Sequence, residues 1–289
     1  AELGVSLDRV KVNPTDTSKV PNTSATAASA GTDLNGMAVK NAIDTLKARI
    51  AEAVATIFTE KHSGAPRPPE RLCRAGLPDA VHEGGQASLQ HSIRFENDTI
   101  FDADHLERRI AFAEAMPLMQ LRQVSLSATG FYKTPNIGWN KEKGFGKPFH
   151  YYAFGMCVSE VLVDVLTGHH TLLRTDILHD VGDSINPGID LGQVEGGYIQ
   201  GVGWCTTEEI KWDEKGNLLT HSPDTYKIPT VQDIPKDFRT ALLQGAPNPN
   251  TIRRSKAVAE PPFMLALSTW LAIKDAVSAV ANHEIEPEY

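Results

Sequence analysis

The 289-residue chain has few cysteines, and this scarcity excludes several kinds of site. Cys73, Cys157 and Cys205 lie far apart, and no Cys-x-x-Cys pair occurs. The chain therefore encodes neither a zinc ribbon nor an iron–sulfur cluster held by its own cysteines. Scattered single cysteines also argue against a disulfide framework, and they favour a reducing, cytoplasmic setting.

Positive charge and long apolar runs are scarce as well. The 28 basic residues are outnumbered by 36 acidic ones, for a net charge of -8, so nothing predicts binding to nucleic acid or to an acidic membrane. We find no apolar run that approaches the roughly 20 residues needed to span a bilayer. The opening residues lack the pattern of a secretory signal; they read as the end of a helix before a strand, which indicates a piece of a larger protein.

Common catalytic motifs are missing. There is no Walker loop, no dinucleotide fingerprint and no His-Glu-x-x-His. We assign no metal ligand among the ten histidines; His150 and His179 are interpreted as hydrogen-bonded structural residues, and His169 and His170 as part of a solvated turn.

Periodicity in the first half predicts a strand at 8–12, a helix at 34–58 and a hairpin from 92 to 101 that turns at Asn97 and Asp98. A second helix, capped by Asp102 or Asp104, should run towards Met119. The stretch 60–85, rich in proline, glycine and charge, is interpreted as a surface connection that separates two lobes or marks an insertion.

The second half predicts two long strands within 151–182, which turn at Thr167 and Gly168, a glycine-marked helix, a hairpin at 207–223, a strand at 238–243 and a last helix at 262–281. Strands outnumber helices and pair mostly as hairpins. We therefore predict an α+β fold, with mixed sheets, hairpins and packed helices, rather than a Rossmann alternation.

The predicted glycine-marked helix contains the run GQVEGGYIQGVG. Each glycine inside a helix costs about 1 kcal/mol relative to alanine, so another backbone or a bulky ligand should come close. Packing of the helix against a sheet is the alternative explanation. The glycines are Gly192, Gly196, Gly197, Gly201 and Gly203.

Two further stretches allow a structural and a chemical reading. The polar, small-residue loop 13–33 leads directly into a predicted helix, so it is either a flexible linker or a cradle for an anion or cofactor. Glu260 stands before Pro261 and Pro262, at the start of an apolar helix that we expect to be mostly buried. Proline biases Glu260 towards an extended backbone, and its carboxylate is either a helix-end charge or a general base.

Five ordered stretches together resemble one family. SKAVAEPPFMLALSTWLAIKDAV, GIDLGQVEGGYIQGVG, TYKIPTVQDIPKDFR, VPNTSATAASAGTDLNG and SATGFYKTPN are similar to the C-terminal part of the molybdenum-cofactor (molybdopterin) domain of the xanthine dehydrogenase and oxidase family. The resemblance implies that residues 1–289 form that part of the domain, with a less matched connection at 61–90.

The resemblance also implies roles for particular residues. Glu260 matches the general base, which takes a proton from a hydroxyl on molybdenum so that the oxygen can attack an electron-poor ring carbon. Ala259 stands where the family usually carries glycine, which puts the local backbone torsion in doubt. Cofactor-contacting positions are matched by Ala27, Ala28, Ser29, Gln193, Ser255, Lys256, Ala257 and Val258. We expect the segments 26–31 and 255–260 to pack together.

The implied reaction is the oxidation of purines, hypoxanthine to xanthine to urate. The implied partners are the remaining part of the molybdenum domain and the 2Fe-2S clusters and FAD on other segments or chains, in an assembly that dimerises. Because the family's substrate-clamping residues have no counterpart here, we expect no turnover by this chain alone. An aldehyde oxidase, or a non-catalytic assembly module, remains the alternative.

Overall fold

The computed structural model describes residues 2–14, 16–18, 25–62 and 92–284. The chain divides into two compact units. The first unit comprises Ala1–Ser24 and Asn35–Lys133, and the second comprises Ala25–Leu34 and Thr134–Tyr289. Most of the connection predicted at 60–85, and of the less matched stretch 61–90, lies outside the described residues.

The first unit packs helices against a small antiparallel sheet. Helix α1 (Gly31–His62) contributes Val54 and Phe58 to its core. The sheet has the order β1 (Ile93–Glu96), β2 (Thr99–Asp102), β3 (Arg109–Ala111), and α2 (Phe112–Leu121) follows. The predicted hairpin is confirmed, since Asn97 and Asp98 turn between β1 and β2 with φ of 48° and 57°, as such tight turns require.

Two predictions for this unit are wrong. Residues 8–12 do not form a strand: a 3₁₀ turn at Leu7–Arg9 is followed by exposed backbone that joins no sheet of the described residues, so the alternating side chains there have no sheet to pack on. Asp102 and Asp104 do not cap a helix, because β3 intervenes and α2 begins only at Phe112. The buried Asp102 instead accepts a hydrogen bond of 2.6 Å from the Ser92 hydroxyl.

The second unit is built on a mixed sheet. The long strands β6 (Gly155–Val163) and β7 (His170–His179) are antiparallel, and β8 (Asp237–Leu242) pairs parallel to β7. A separate pair, β4 (Gly138–Asn140) and β5 (Phe145–Lys147), precedes them. The predicted hairpin at 207–223 is reduced to one bridge between Trp212 and Leu218. The α+β class with mixed sheets is confirmed.

Helices α3 (Pro187–Thr206) and α4 (Leu267–Ser278) pack on this sheet. Their contact is organised by the hydroxyl of Tyr198, a side chain with no exposed surface. That oxygen lies 3.0 Å from the hydroxyls of Ser159 and Thr175 and 2.6 Å from that of Thr269. Because each buried hydroxyl has a partner, the cluster fixes both helices relative to β6 and β7.

The apolar C-terminal segment differs from its prediction. It starts as a 3₁₀ helix (Pro261–Ala266), continues as α4 and ends in another 3₁₀ turn (Ala279–Ala281). A short 3₁₀ turn at Ile252–Arg254 precedes it. Met264, Leu271 and Val280 are 61%, 55% and 73% exposed, so the expectation of a mostly buried helix is wrong for the described residues.

The same segment also corrects the estimate of apolar length. Within the described residues, Pro261–Ala281 has 21 residues, and a stretch of 18 of them has a mean hydropathy of 1.4, so by length and composition alone this segment could cross a membrane. Its polar residues are few, which is why a count of uninterrupted apolar residues missed it. One such helix does not by itself indicate a membrane span, because core helices of soluble proteins have the same length and composition.

Two of the glycines of α3, Gly197 and Gly201, allow close approach of another backbone, which is that of Ala259 and of the 3₁₀ helix rather than that of the sheet. A Cβ on Gly201 would stand 2.3 Å from the carbonyl oxygen of Phe263. We expect Gly201→Ala to destabilise the chain by about 1–3 kcal/mol, because overpacking forces the two segments apart. Gly196 has nothing within 4 Å of its Cβ position. Gly196→Ala is the matched control and should stabilise the helix by up to about 1 kcal/mol; urea denaturation of both variants measures the difference.

Candidate functional site

A cleft of about 520 Å³ lies within the second unit, where three segments distant in sequence meet. These are the loop that leads into α1, the first two turns of α3 and the segment that precedes the 3₁₀ helix at Pro261. Its volume lies in the range of small-molecule sites. The lining residues are Thr26, Ser29, Gly31, Thr32, Ile185, Asn186, Ile189, Asp190, Gln193, Ser255, Lys256, Ala257, Val258 and Ala259.

The loop before α1 contains a tight turn with an unusual backbone. Ala28 and Ser29 have φ of 54° and 53°, and the Ala30 N–H donates to the Ala27 carbonyl at 3.2 Å. Each non-glycine residue in this region costs roughly 1–2 kcal/mol, so the surrounding structure must hold the turn. A hydrogen bond to Ser29 contributes, because its Oγ accepts the N–H of Glu260 at 3.0 Å.

This hydrogen bond joins the loop to the segment 255–260. The prediction that 26–31 packs against 255–260 is therefore confirmed. Six of the eight residues that match cofactor-contacting positions line the cleft, namely Ser29, Gln193, Ser255, Lys256, Ala257 and Val258. Ala27 and Ala28 belong to the same turn but are not among the lining residues.

The start of the segment 255–258 is fixed by the chain that follows β7. Ser255 forms a bridge with Gly182, and the Lys256 N–H donates to the Val181 carbonyl at 2.8 Å. The Lys256 ammonium pairs with Asp180, and their side chains are only 10% and 1% exposed. Because the Lys256 ammonium is paired with Asp180, the parts of Lys256 that can contact a ligand in the cleft are its backbone and its aliphatic chain.

Helix α3 presents its N-terminal end to the cleft. Asn186 caps the helix by accepting the Ile189 N–H at 3.3 Å, and Pro187 follows at the first position, a common start for a helix. Free N–H groups at a helix start favour anions, but here Asn186 accepts those of Ile189 and Asp190, and the Asp190 side chain lines the same end of the cleft. The Asn186-Pro187 pair in the sequence is typical of a helix start and could have predicted where α3 begins. It gives no indication that Asn186 and Asp190 line a cleft.

Glu260 stands beside the cleft rather than in its lining. Its φ and ψ of −90° and −36° are helical, so the expectation of an extended backbone is wrong. Its N–H bond to Ser29, and the hydrogen bond of 3.0 Å from the Phe263 N–H to its carbonyl, outweigh the bias from Pro261. The residue is exposed in the second unit. Ala259 has a negative φ, so its methyl group causes no backbone strain.

A polar cluster next to the lining escaped the sequence analysis. The Tyr151 hydroxyl donates to the Asp33 carboxylate and accepts the Ala257 N–H at 2.7 Å. Burial foremost, and then Asp33, raise the pKa of Tyr151, so the phenol stays protonated. Burial also raises the pKa of Asp33, against the lowering effect of the Tyr151 hydrogen bond.

The two histidines interpreted as structural differ. His179 Nδ1 lies 3.0 Å from the Phe154 carbonyl, which confirms its prediction, and burial lowers its pKa. Both ring nitrogens of His150 are buried with no hydrogen-bond partner in the described part of the chain, so that prediction is wrong for His150. Among the same residues, no group of three or more His, Cys, Asp or Glu side chains is arranged to hold a metal ion.

Comparison with known proteins agrees with the resemblance. A family model described as the molybdopterin cofactor-binding domain matches residues 1–66 and 80–235. The chain is 41% identical over 282 residues to xanthine dehydrogenase/oxidase of Mus musculus, and 39% identical over 275 residues to that of Gallus gallus. These alignments cover 97% and 95% of this chain, but only 17% of the length of each relative.

A solved structure shares the fold. The Cu,Mo-CO dehydrogenase in its carbon monoxide reduced state superposes with a TM-score of 0.72 at 22% identity, over 98% of this chain and 31% of that chain. At this identity the likeness shows the fold alone. The family model, which matches residues 1–66 and 80–235, shows that the chain belongs to the molybdopterin cofactor-binding domain family, and its sequence is similar to the xanthine dehydrogenases.

Proposed function

We propose that residues 1–289 form the C-terminal part of the molybdenum-cofactor domain of a hydroxylase that oxidises hypoxanthine to xanthine and xanthine to urate. One observation carries the proposal: a single cleft gathers the loop before α1, Gln193 and the segment 255–258. The relatives named xanthine dehydrogenase/oxidase, which align with nearly the whole chain, support the choice of purines.

The residues of the cleft fit a pterin cofactor. The side-chain amide of Gln193 can donate and accept hydrogen bonds, which suits the edge of a heterocycle. A Cβ at Gly197 would come within 2.4 Å of the Ala259 carbonyl oxygen, so only glycine lets α3 approach this segment so closely. When bound, the molybdenum cofactor would supply the redox centre that accepts the electrons of the hydroxylation.

Within this proposal each segment of the chain has one task. The backbone of 255–258 and the turn at Ser29 bind the flat ring system, and Gln193 orients it. The Glu260 carboxylate acts as general base by taking up the proton of the oxygen that attacks the purine. The Ser29 hydroxyl holds the Glu260 backbone at 3.0 Å, so the base and the cofactor cleft share one support.

The remaining parts of the reaction lie elsewhere. The chain spans 17% of the length of the relatives it matches, and we propose that other segments complete the cleft and clamp the purine. The 2Fe-2S clusters and FAD, on those segments or on other chains, would carry the electrons away. We place the complete enzyme, as a dimer, in the cytoplasm.

The test uses the intact protein that contains this chain. We expect it to contain one molybdenum and one pterin per chain and to form urate from hypoxanthine and from xanthine, whereas aldehydes should be poor substrates. Elemental analysis, pterin fluorescence and urate absorbance measure these quantities. An intact protein without molybdenum would contradict the proposal and favour a non-catalytic module, and a preference for aldehydes would favour an aldehyde oxidase.

A further inference from the structure

The polar contacts of Tyr151 connect the two sides of the cleft. Asp33 lies in the first turn of α1, directly after the lining residues Gly31 and Thr32. Ala257 lies in the opposite lining segment. The Tyr151 hydroxyl donates its proton to Asp33 and accepts the N–H of Ala257 at 2.7 Å. One hydroxyl group therefore bridges the start of α1 and the segment 255–258.

We propose that Tyr151 is a positioning residue for the cofactor cleft, and that it acts through the bridge from Asp33 to the Ala257 backbone. The inference rests on the function proposed above, to which it adds two residues, Tyr151 and Asp33, that do not line the cleft themselves.

The chemistry of the bridge makes it directional. A phenol has one proton to donate, and here that proton is directed to the carboxylate. The oxygen lone pairs are then free to accept from Ala257. A hydrogen bond to a charged acceptor is roughly twice as strong as a neutral one, so Asp33 fixes the orientation of the hydroxyl. Both groups are partly buried, and loss of the hydroxyl would leave a carboxylate and an N–H short of a partner.

The position of the bridge explains why its loss should reach the cofactor. Ala257 stands between Lys256, held by Val181 and Asp180, and Glu260, held by Ser29. Removal of the Tyr151 hydroxyl therefore leaves the backbone between Lys256 and Glu260 without the hydrogen bond at Ala257. The expected consequence is a looser cleft, with no change in the group that accepts the proton.

The experiment compares Tyr151→Phe with Tyr152→Phe in the intact enzyme. Tyr152 is the adjacent residue, is 62% exposed and lies outside the lining, so it is a matched control. We expect Tyr151→Phe to release molybdenum about tenfold faster on dialysis, as the loss of a group that orients a site typically does. Hydrogen exchange at the Ala257 amide should accelerate, while the pH profile of the remaining activity should stay unchanged. Tyr152→Phe should behave as the wild type in all three measurements.

The possible results separate the inference from the proposed function. Wild-type protein without molybdenum would overturn the proposed function, and the inference with it. If the wild type contains molybdenum and the Tyr151→Phe variant releases it no faster than the wild type does, the inference alone is overturned. If Tyr151→Phe does not fold, Asp33→Asn decides, because it keeps an acceptor but removes the charge. We expect the Asp33→Asn variant to release molybdenum about threefold faster than the wild type, because a hydrogen bond to a neutral acceptor is weaker than one to a carboxylate. A rate of release equal to that of the wild type would overturn the inference.

Discussion

Replacement of Glu260 by glutamine in the intact enzyme is expected to reduce purine hydroxylation by at least about 10²–10⁴-fold, the usual contribution of a general base. Glutamine keeps the size and the hydrogen-bonding capacity of the side chain but cannot take up a proton at neutral pH. The backbone N–H of residue 260 still donates to Ser29, so the molybdenum content should stay that of the wild type. Turnover and metal content are measured on the same preparation.

The control for this experiment is Glu209→Gln. Glu209 is also exposed, but it forms an ordinary ion pair with Lys211 at 3.0 Å and is absent from the cleft lining. Its replacement should leave turnover and molybdenum content unchanged. Normal turnover by the Glu260→Gln variant would show that the base is another residue. Loss of molybdenum together with activity would show that Glu260 holds the site together instead of acting as its base.

Replacement of Lys256 by methionine is expected to destabilise the chain by about 3–5 kcal/mol, because it leaves a buried carboxylate without its counter-charge. Asp180 is 1% exposed, and besides the ammonium it accepts the Gly182 N–H at 2.9 Å. The ammonium also lies 5.4 Å from the centre of the Phe154 ring. Methionine fills a similar volume, so the loss of charge, and not a cavity, should dominate the free energy of unfolding measured by urea denaturation.

Arg239→Met provides the comparison for this variant. Arg239 pairs with Asp237, but their side chains are 58% and 44% exposed, and such exposed pairs typically contribute less than about 1 kcal/mol. A Lys256→Met variant as stable as Arg239→Met would mean that water reaches Asp180 and compensates for the missing charge. A second variant, Lys256→Met with Asp180→Asn, should recover part of the lost stability, because it removes the buried charge as well.

Local pattern was sufficient for most of the secondary structure. The hairpin at Asn97 and Asp98, the long strands β6 and β7, and the glycine-marked α3 each carry a periodicity or a turn signal within a short window. The errors fall where a neighbour in space decides. The local pattern did not reveal β3, so the helix predicted to begin after Asp102 or Asp104 begins only at Phe112. The hydrogen bond that the Glu260 N–H donates to the Ser29 hydroxyl holds Glu260 in a helical rather than an extended backbone.

The sequence by itself determined the α+β elements, the family, and six of the residues that line the cleft, because the motifs that carry the resemblance are contiguous stretches. Only the tertiary structure decided how those stretches meet. Ser29 and Glu260 are 231 positions apart, Asp33 and Tyr151 are 118 apart, and Lys256 and Asp180 are 76 apart. A hydrogen bond between such distant residues leaves no periodicity in the sequence. The surroundings of the Glu260 carboxylate, and the partner of the buried Asp180, therefore follow from how these distant stretches pack together rather than from any local motif.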